Sequence, residues 1–256
     1  MRIGKPYTRF ASVYDLMGAD RHSAKMVAYS FEIFRRFKIR PVGGLDVCCG
    51  TGTAISLFSD QGLHMSGLDL SAAMLALAAK KLKGRGVKLY QKSLPKFKIL
   101  ESEDSSQVRK FDLITCFYDA LNYLKSAREL KAAFRSVYDH LCEGGWFIFD
   151  MNTPAALKIL WDGQVYADAR DDMAWVWKNT YHKKTQSATL QATFFVKRDK
   201  LWERFDEEHI EKAYANATVI RLLREVGFQV QGFYRCFSFE KPKKGTYRIC
   251  GVAKRP

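Results

Sequence analysis

The order of segments along the chain predicts an α/β fold: a doubly wound, mostly parallel sheet with helices on both faces and an inserted antiparallel β cap. Three observations carry this. Between residues 45 and 150, short apolar runs of strand length alternate with stretches of helical period, the pattern of parallel strands joined by helices. The first of these runs ends in a glycine turn, CCGTGT, and a helix follows at once. Beyond residue 152 the period changes to two, with aromatic and β-branched residues alternating with charged ones, as in a half-exposed antiparallel sheet.

Residues 23–37 (SAKMVAYSFEIFRRF) place apolar side chains at helical spacing and stop before Pro41 and Gly43-Gly44. Residues 45–49 read as a strand, 54–60 as a helix ending near Gly62, and 63–68 as a second strand. Ser71 is placed to cap the helix AAMLALAAKKL, which Gly84 closes. Residues 87–90 and 111–117 read as the third and fourth strands. Residues 127–141 form an amphipathic helix closed by Gly144-Gly145, and 146–149 a fifth strand. In the inserted part, 165–166, 174–182, 188–196 and 201–210 read as strands with polar turns between them. Residues 217–226 return to helix and stop at Gly227, and 228–239 with 247–253 make a final strand pair.

A chain of 256 residues suits one α/β domain with an insertion, and 47% hydrophobic residues suffice for a core. No apolar run approaches the roughly 20 residues of a membrane span, and MRIGKPYTRFASVYD lacks the apolar stretch of a signal peptide. The reading is a soluble cytoplasmic protein with no membrane partner. Six cysteines carry no CxxC or Cys/His zinc spacing, so neither a metal nor a disulfide is expected. The net charge of +15, from 42 basic and 27 acidic residues, raises nucleic acid as a partner. It is not favoured: the eight Lys/Arg of residues 70–100, with no acid among them, spread over a helix, a turn and a strand, as a solvated surface also would.

Strand, Gly50-Thr51-Gly52, helix is a nucleotide-binding turn, because glycine lets a ligand approach the backbone and the helix start offers free N–H groups. Asp69 ends the second strand 17 residues after Gly52, where an acid accepts hydrogen bonds from both ribose hydroxyls of a nucleoside. The dinucleotide fingerprint GxGxxG is not met: CCGTGTAI has Ala54 and Ile55 where a third glycine belongs, and Asp46 is foreign to it. DxxxGxG followed by GLDLSAAML instead resembles the class I S-adenosylmethionine-dependent methyltransferases. FDLITCFYDALNYL, LCEGGWFIFDMNT, and the terminal GFQVQGFYRC and YRICGVAKR resemble that family's fourth, fifth and last two strands. DALNYL, FDMNT and the β-rich insertion resemble one subgroup, bacterial small-molecule enzymes with an antiparallel cap, including aminosugar N,N-dimethyltransferases.

The resemblance implies a Rossmann-like core with a seven-stranded, mostly parallel sheet, formed by residues 1–152 and 211–256 with an N-terminal helical lid. Residues 153–210 would be the cap on the substrate side. It implies S-adenosylmethionine as cofactor and a small-molecule methyl acceptor, an amine first of all. Asp46 then faces the methionine moiety, and Gly50, Thr51 and Gly52 pass beneath it. Asp69 holds the ribose, its alternative being a helix N-cap; Leu70 and Met74 flank adenine or ribose, Met74 being equally suited to the core. Ser93 stands where the family often has an acid for the adenine amine, which implies weaker binding of the same cofactor. Leu94 stacks under the base, and Cys116, Phe117 and Tyr118 lie beside the sulfonium. Tyr14 matches a lid tyrosine, with helix packing as its alternative. Cys48 replaces a glycine in the turn, and Cys49 is ordinary there. Neither thiol is expected to be catalytic, and a disulfide between neighbours is strained.

A sulfonium methyl is already activated, so the protein has to align the acceptor, exclude water and present an unprotonated nucleophile. His209, in DEEHIEKAY at the junction of cap and core, is a candidate base, since imidazole is the side chain that ordinarily titrates near neutrality. The alternative is a surface histidine on a charged strand. Tyr118, Asp119 and Asn122 follow the fourth strand, and Asp150 and Asn152 end the fifth, at the edge where such sheets bind ligands. Asp119 would hold a cationic or hydroxylated acceptor, or else cap a helix. Trp175, Trp177, Tyr181 and Phe195 read as the cap's own core more readily than as a pocket wall. Two other functions compete with this one. A nucleic-acid methyltransferase acting on base amines would carry [DNS]PP[YF] where this chain has FYDAL, and one acting on cytosine C5 would need a positioned cysteine, often after proline, whereas Cys116 follows Thr115. A non-catalytic cofactor-binding protein is the third reading, and intact Asp46, Gly50, Gly52 and Asp69 argue that binding at least is retained. The cap carries no motif that names the acceptor, and no segment fixes an oligomeric state.

Overall fold

The computed structural model describes Gly4 and residues 6–256. The first five strands are β1 (Gly43–Val47), β2 (His64–Asp69), β3 (Lys88–Gln91), β4 (Phe111–Cys116) and β5 (Leu141–Asn152). Four more follow as β6 (Val165–Ala169), β7 (Met173–His182), β8 (Ser187–Arg198) and β9 (Leu201–Lys212), and the chain closes with β10 (Gln229–Arg235) and β11 (Arg248–Lys254). Seven of these make one sheet in the order β10-β11-β5-β4-β1-β2-β3. β1 pairs parallel with both β2 and β4, and β11 pairs antiparallel with both β5 and β10, so β11 alone runs against the rest. The strand order reverses between β1 and β4, which opens a crevice at their carboxyl ends.

Successive side chains of a strand point to opposite faces, so strands covered on both sides are apolar throughout. Leu45, Ile114, Phe147 and Phe149 face α4 (Ala127–His140) and α5 (Asn216–Val226), meeting Phe134, Val137 and Leu222. Leu113, Ile148 and Val252 face the other way. There α1 (Ala19–Phe37), α2 (Thr53–Asp60) and α3 (Ala72–Lys81) supply Met26, Ile33, Phe58 and Ala78. Ser71 does cap α3, accepting from Met74 N at 3.2 Å. Several boundaries differ from the sequence reading: β6 runs on to Ala169, and β10 stops at Arg235. α1 begins at Ala19, and α3 ends at Lys81, short of Gly84. α4 stops at His140 and β5 begins at the next residue, so Gly144-Gly145 lies inside a strand and absorbs a register shift against β4 instead of ending a helix.

The remaining four strands form an antiparallel sheet in the order β6-β7-β8-β9, inserted between β5 and α5. β8 buries every second residue from Ala188 to Val196. The 3₁₀ turn Phe10–Val13 covers that face, with Phe10 stacked on Phe194 at 4.9 Å. Trp175 and Trp177 join the same cluster, Tyr181 packs beside Leu157, and Phe195 lies under Arg204. β9 inverts the usual polarity: Glu207, His209 and Glu211 are buried while Ile210 is exposed. Among the described residues no helix is long and apolar enough to cross a membrane.

Candidate cofactor and acceptor site

A cavity of about 650 Å³ opens at the carboxyl ends of β1, β2 and β4. Its floor is the glycine turn between β1 and α2. Asp46 is buried beneath it and accepts from Thr115 Oγ1 at 2.6 Å. Burial, opposed by Thr115 and reinforced by the charge of Asp69, pushes its carboxyl up to about 7. Asp69 fastens the turn to β2, accepting from Gly50 N at 2.9 Å and Ser71 N at 2.8 Å. Its carboxyl is also raised by burial, against the pull of those two amides. Ser71, two residues on, is the cap of α3, so Asp69 is not occupied as one.

The two glycines serve different ends. A Cβ on Gly50 would meet only Tyr14, at 4.0 Å, so this backbone lies bare to the cavity. A Cβ on Gly52 would come within 2.9 Å of Leu82 and 3.2 Å of Ala78, so Gly52 lets the start of α2 approach α3 and does not line the cavity. Cys48, where the sequence departs from glycine, keeps a left-handed φ of 61°. That conformation costs a side chain about 1–2 kcal/mol. Its thiol lines the cavity and contacts Cys116, which is wholly buried behind the wall and therefore not on the cavity as the sequence suggested. The Cys116 thiol is pushed well up by its hydrogen bond with Cys48 and by burial, and the Cys49 thiol is pushed up by burial, so neither is a ready nucleophile.

Along one wall lie Leu70, Met74, Ser93 and Leu94. Met74 is 2% exposed, so it belongs to the core and touches the cavity at once. Thr51 lines the floor and donates to Asp15 at 2.7 Å, and Lys81 Nζ reaches Asp15 at 2.7 Å and Thr53 at 2.7 Å, tying the N-terminal segment to the turn. That segment forms the opposite wall through Pro6, Tyr7, Thr8 and Tyr14. It is held down by one carboxylate. Glu207 accepts from the N–H groups of Tyr7 (2.7 Å), Thr8 (3.1 Å), Arg9 (2.7 Å) and Phe10 (2.9 Å), and from Thr8 Oγ1 (3.0 Å). Burial works to raise this carboxyl, but His209 and the amides of Phe10 and Arg9 hold it below the ordinary range.

His209 is neither at the surface nor on the cavity wall. It is buried under the N-terminal segment, and its Nδ1 lies 2.8 Å from the Tyr123 hydroxyl, which lies 2.8 Å from the Tyr7 hydroxyl. Tyr118 does line the cavity. Burial, then the charge of Asp119, partly offset by Arg248, pushes its phenol up to about 12. Asp119, expected at the acceptor, is turned behind the wall: Tyr118 and Asp119 are successive left-handed residues, with φ of 58° and 54°. Its oxygens accept from Arg248 at 2.9 Å and Asn152 Nδ2 at 2.9 Å, and it caps no helix with its side chain. Arg248 also pairs with Asp150, and Asn152 also donates to Glu211 at 2.9 Å. Burial, and then the charge of Asp119, push the Glu211 carboxyl far up. Sequence reasoning missed Tyr7, Tyr123, Glu207, Glu211 and Arg248. The available sign was the apolar Ile210 set between the polar His209 and Glu211 on a strand of period two.

A family profile described as a methyltransferase domain matches residues 45–147. The crystal structure of a S-adenosylmethionine-dependent methyltransferase from Clostridium acetobutylicum ATCC 824 superposes with a TM-score of 0.83 at 30% identity, over 96% of this chain and 97% of that one. Streptomyces venezuelae DesVI superposes with a TM-score of 0.75 at 26% identity, over 94% of this chain and 97% of its own. The dTDP-3-amino-3,4,6-trideoxy-alpha-D-glucopyranose N,N-dimethyltransferase of Streptomyces venezuelae is 28% identical over 233 residues, 86% of this chain and 90% of its own. A doubly wound sheet with β11 reversed, an acid-flanked glycine turn and a cavity at the switch point define a class I methyltransferase. The chain belongs to the S-adenosylmethionine-dependent methyltransferases, and S-adenosylmethionine is its cofactor.

Proposed function

We propose that the cavity holds S-adenosylmethionine along the glycine turn and that the enzyme methylates an amine on a small-molecule acceptor. The observation that carries the reading is the bare backbone at Gly50, flanked by the acids Asp46 and Asp69. A ligand can lie flat there, with a cationic group toward Asp46 and a diol toward Asp69. The size supports it, since pockets for ligands of this class run from about 300 to 1,000 Å³. An amine is favoured because a relative matching most of this chain is named as an amino-sugar N,N-dimethyltransferase.

In this reading residues 1–152 and 211–256 are the cofactor-binding core, with the N-terminal segment as lid, and 153–210 the cap on the acceptor side. Asp69 uses the lone pairs left after Gly50 and Ser71 are served to accept from the ribose hydroxyls. Leu70, Met74 and Leu94 flank the base, and Ser93 accepts from its amine. Asp46 faces the ammonium of the amino-acid part, and Gly50, Thr51 and Cys48 form the surface under it. The cofactor supplies a methyl group already activated for transfer. Tyr7 and Tyr14 close over the cavity and exclude water. Tyr118, whose phenol stays protonated, donates a hydrogen bond and orients the acceptor rather than taking its proton. Isothermal titration of S-adenosylhomocysteine into wild type and Asp69→Ala tests the cofactor site. Micromolar binding that falls at least about tenfold in the variant, the equivalent of one charge-assisted hydrogen bond, is expected. Equal affinity in the two proteins removes Asp69 from the ribose.

A further inference from the structure

Two phenols, an imidazole and a carboxylate run in file from the cavity wall into the cap. Tyr7 and Tyr123 line the cavity with their hydroxyls 2.8 Å apart. The Tyr123 hydroxyl lies 2.8 Å from His209 Nδ1, and His209 Nε2 lies 3.5 Å from Glu207 Oε2. His209 and Glu207 are each 1% exposed, so the inner half of the file is dry. Among the described residues Nε2 has no hydrogen-bond partner, and Glu207 is the one carboxylate at ion-pair distance from it.

Resting on the function proposed above, we propose that the acceptor ammonium loses its proton through Tyr123 to His209, with Glu207 holding the imidazolium that results. The acceptor N–H bond breaks, and its proton joins the phenol oxygen of Tyr123. The phenol's own proton passes to His209 Nδ1. The acceptor keeps its lone pair, and the positive charge ends beside Glu207. Tyr123 is the catalytic residue, and His209 and Glu207 act through it. No phenolate is required, which suits a hydroxyl that burial pushes well above the ordinary range.

The surroundings favour this direction of transfer. Rings of Tyr7 at 4.9 Å and Phe10 at 5.7 Å meet the imidazole edge-on and compete for no proton. The other titratable groups facing Tyr123 are Glu211, Asp119, Tyr7 and Tyr14. Asp119 is already met by Arg248, and Asn152 Nδ2 donates to Glu211 at 2.9 Å. Glu207 also receives the backbone N–H groups of residues 7–10, so the carboxylate that faces His209 is the one that holds the N-terminal segment over the cavity. The buried proton then leaves when that segment lifts.

The geometry demands one tautomer of His209, with bare Nδ1 and hydrogen on Nε2. Imidazole nitrogen–carbon correlation spectra of histidine-labelled protein with S-adenosylhomocysteine bound decide it; His209 is assigned among the five histidines by its loss in His209→Gln. The expected result is the Nε2–H form, with the Nδ1 resonance displaced in Tyr123→Phe. The Nδ1–H form, or no response to Tyr123→Phe, overturns the proposal. Titration of S-adenosylhomocysteine into the same samples keeps the two readings apart: absent binding to wild type sinks the cofactor reading and leaves the tautomer result standing by itself. With an amine substrate from an acceptor screen, Tyr123→Phe lowers kcat on the order of 100-fold at pH 7. The deficit shrinks as the pH nears the amine's own pKa, and His209→Gln repeats it. A deficit independent of pH overturns the relay.

Discussion

Replacing Glu207 with glutamine removes a charge and one acceptor from the point where the N-terminal segment meets the cap. Oε1 accepts from Thr8 N, Thr8 Oγ1, Arg9 N and Phe10 N, and Oε2 from Tyr7 N. A glutamine that keeps its oxygen at the Oε1 position must aim its amide nitrogen at the Tyr7 N–H, donor against donor. A hydrogen bond to a charged group contributes about 1.5–3 kcal/mol, and bonds to a neutral acceptor are about half as strong. Bonds that share one acceptor are not additive, so the loss of one and the weakening of the rest come to about 3 kcal/mol for the closed segment. That is on the order of a 100-fold shift in its opening equilibrium. Native-state hydrogen exchange reads it directly: the amides of Tyr7, Thr8, Arg9 and Phe10 exchange about 100-fold faster in Glu207→Gln, while amides in the middle of α4 do not change. Unchanged exchange at the four amides refutes the latch. Equal acceleration in α4 shows that Glu207 supports the whole fold and not the segment.

Asp46 gives a pH dependence of defined sign. Its carboxyl is raised from 3.8 to about 7, so its contribution to stability is fully present below about pH 4 and is lost as the pH rises through 7. A cationic ligand group requires it ionised, so the affinity for S-adenosylhomocysteine rises from pH 6 to 8 and Asp46→Asn flattens the profile; a flat wild-type titration curve contradicts this. Gly50→Ala weakens cofactor binding at a strain cost of about 1–2 kcal/mol, because its Cβ projects into open cavity. Gly67→Ala, whose Cβ would fall 2.5 Å from Ile55 Cδ1 and 2.8 Å from Cys49 Sγ, instead acts on the core, costing about 1–3 kcal/mol and lowering Tm by roughly 2–4 °C per kcal/mol. Calorimetric melts and ligand titrations on the pair should therefore move in opposite proportion. Arg248→Met leaves Asp119 and Asp150 buried without their cation. The cost is about 3–5 kcal/mol, and a Tm within 2 °C of wild type would show that the pair is replaceable, His22 Nε2 lying 3.4 Å from Asp150 Oδ2.

The parts of the site legible in the sequence are those that backbone geometry fixes at set spacing. Asp46, Gly50 and Asp69 sit at strand ends, where register and turn leave little choice, and the alternation of runs from 45 to 150 announces the parallel sheet. Even the departure at Cys48 was visible, and its positive φ shows that the turn kept its shape around a side chain. The burial of Glu207, His209 and Glu211 is not legible, although His209 stands out as a candidate base, because charges at every second strand position ordinarily face water. Here they face inward, and the groups that compensate Glu207 are backbone amides of residues 7–10, which have no side-chain signature. Asp119 read as a ligand contact because it follows β4, and two left-handed residues in succession rotate it away. β5 starts at Leu141, earlier than the strand read at 146–149, because helix gives way to strand between His140 and Leu141 with no breaker between them.

The bond from Tyr7 to Glu207 joins residues 200 apart. A chain emerges from the ribosome N-terminus first, at about 5–20 residues per second, so the segment around Tyr7 waits roughly 10–40 s for its anchor to be made. During that wait β1, β2 and the glycine turn are free to pair, and the floor of the cavity takes shape without the wall that Tyr7 supplies. Completion of that wall of the cavity is thereby deferred until β9 has been synthesised, and a shortened chain that lacks Glu207 leaves the amides of residues 7–10 without their common acceptor.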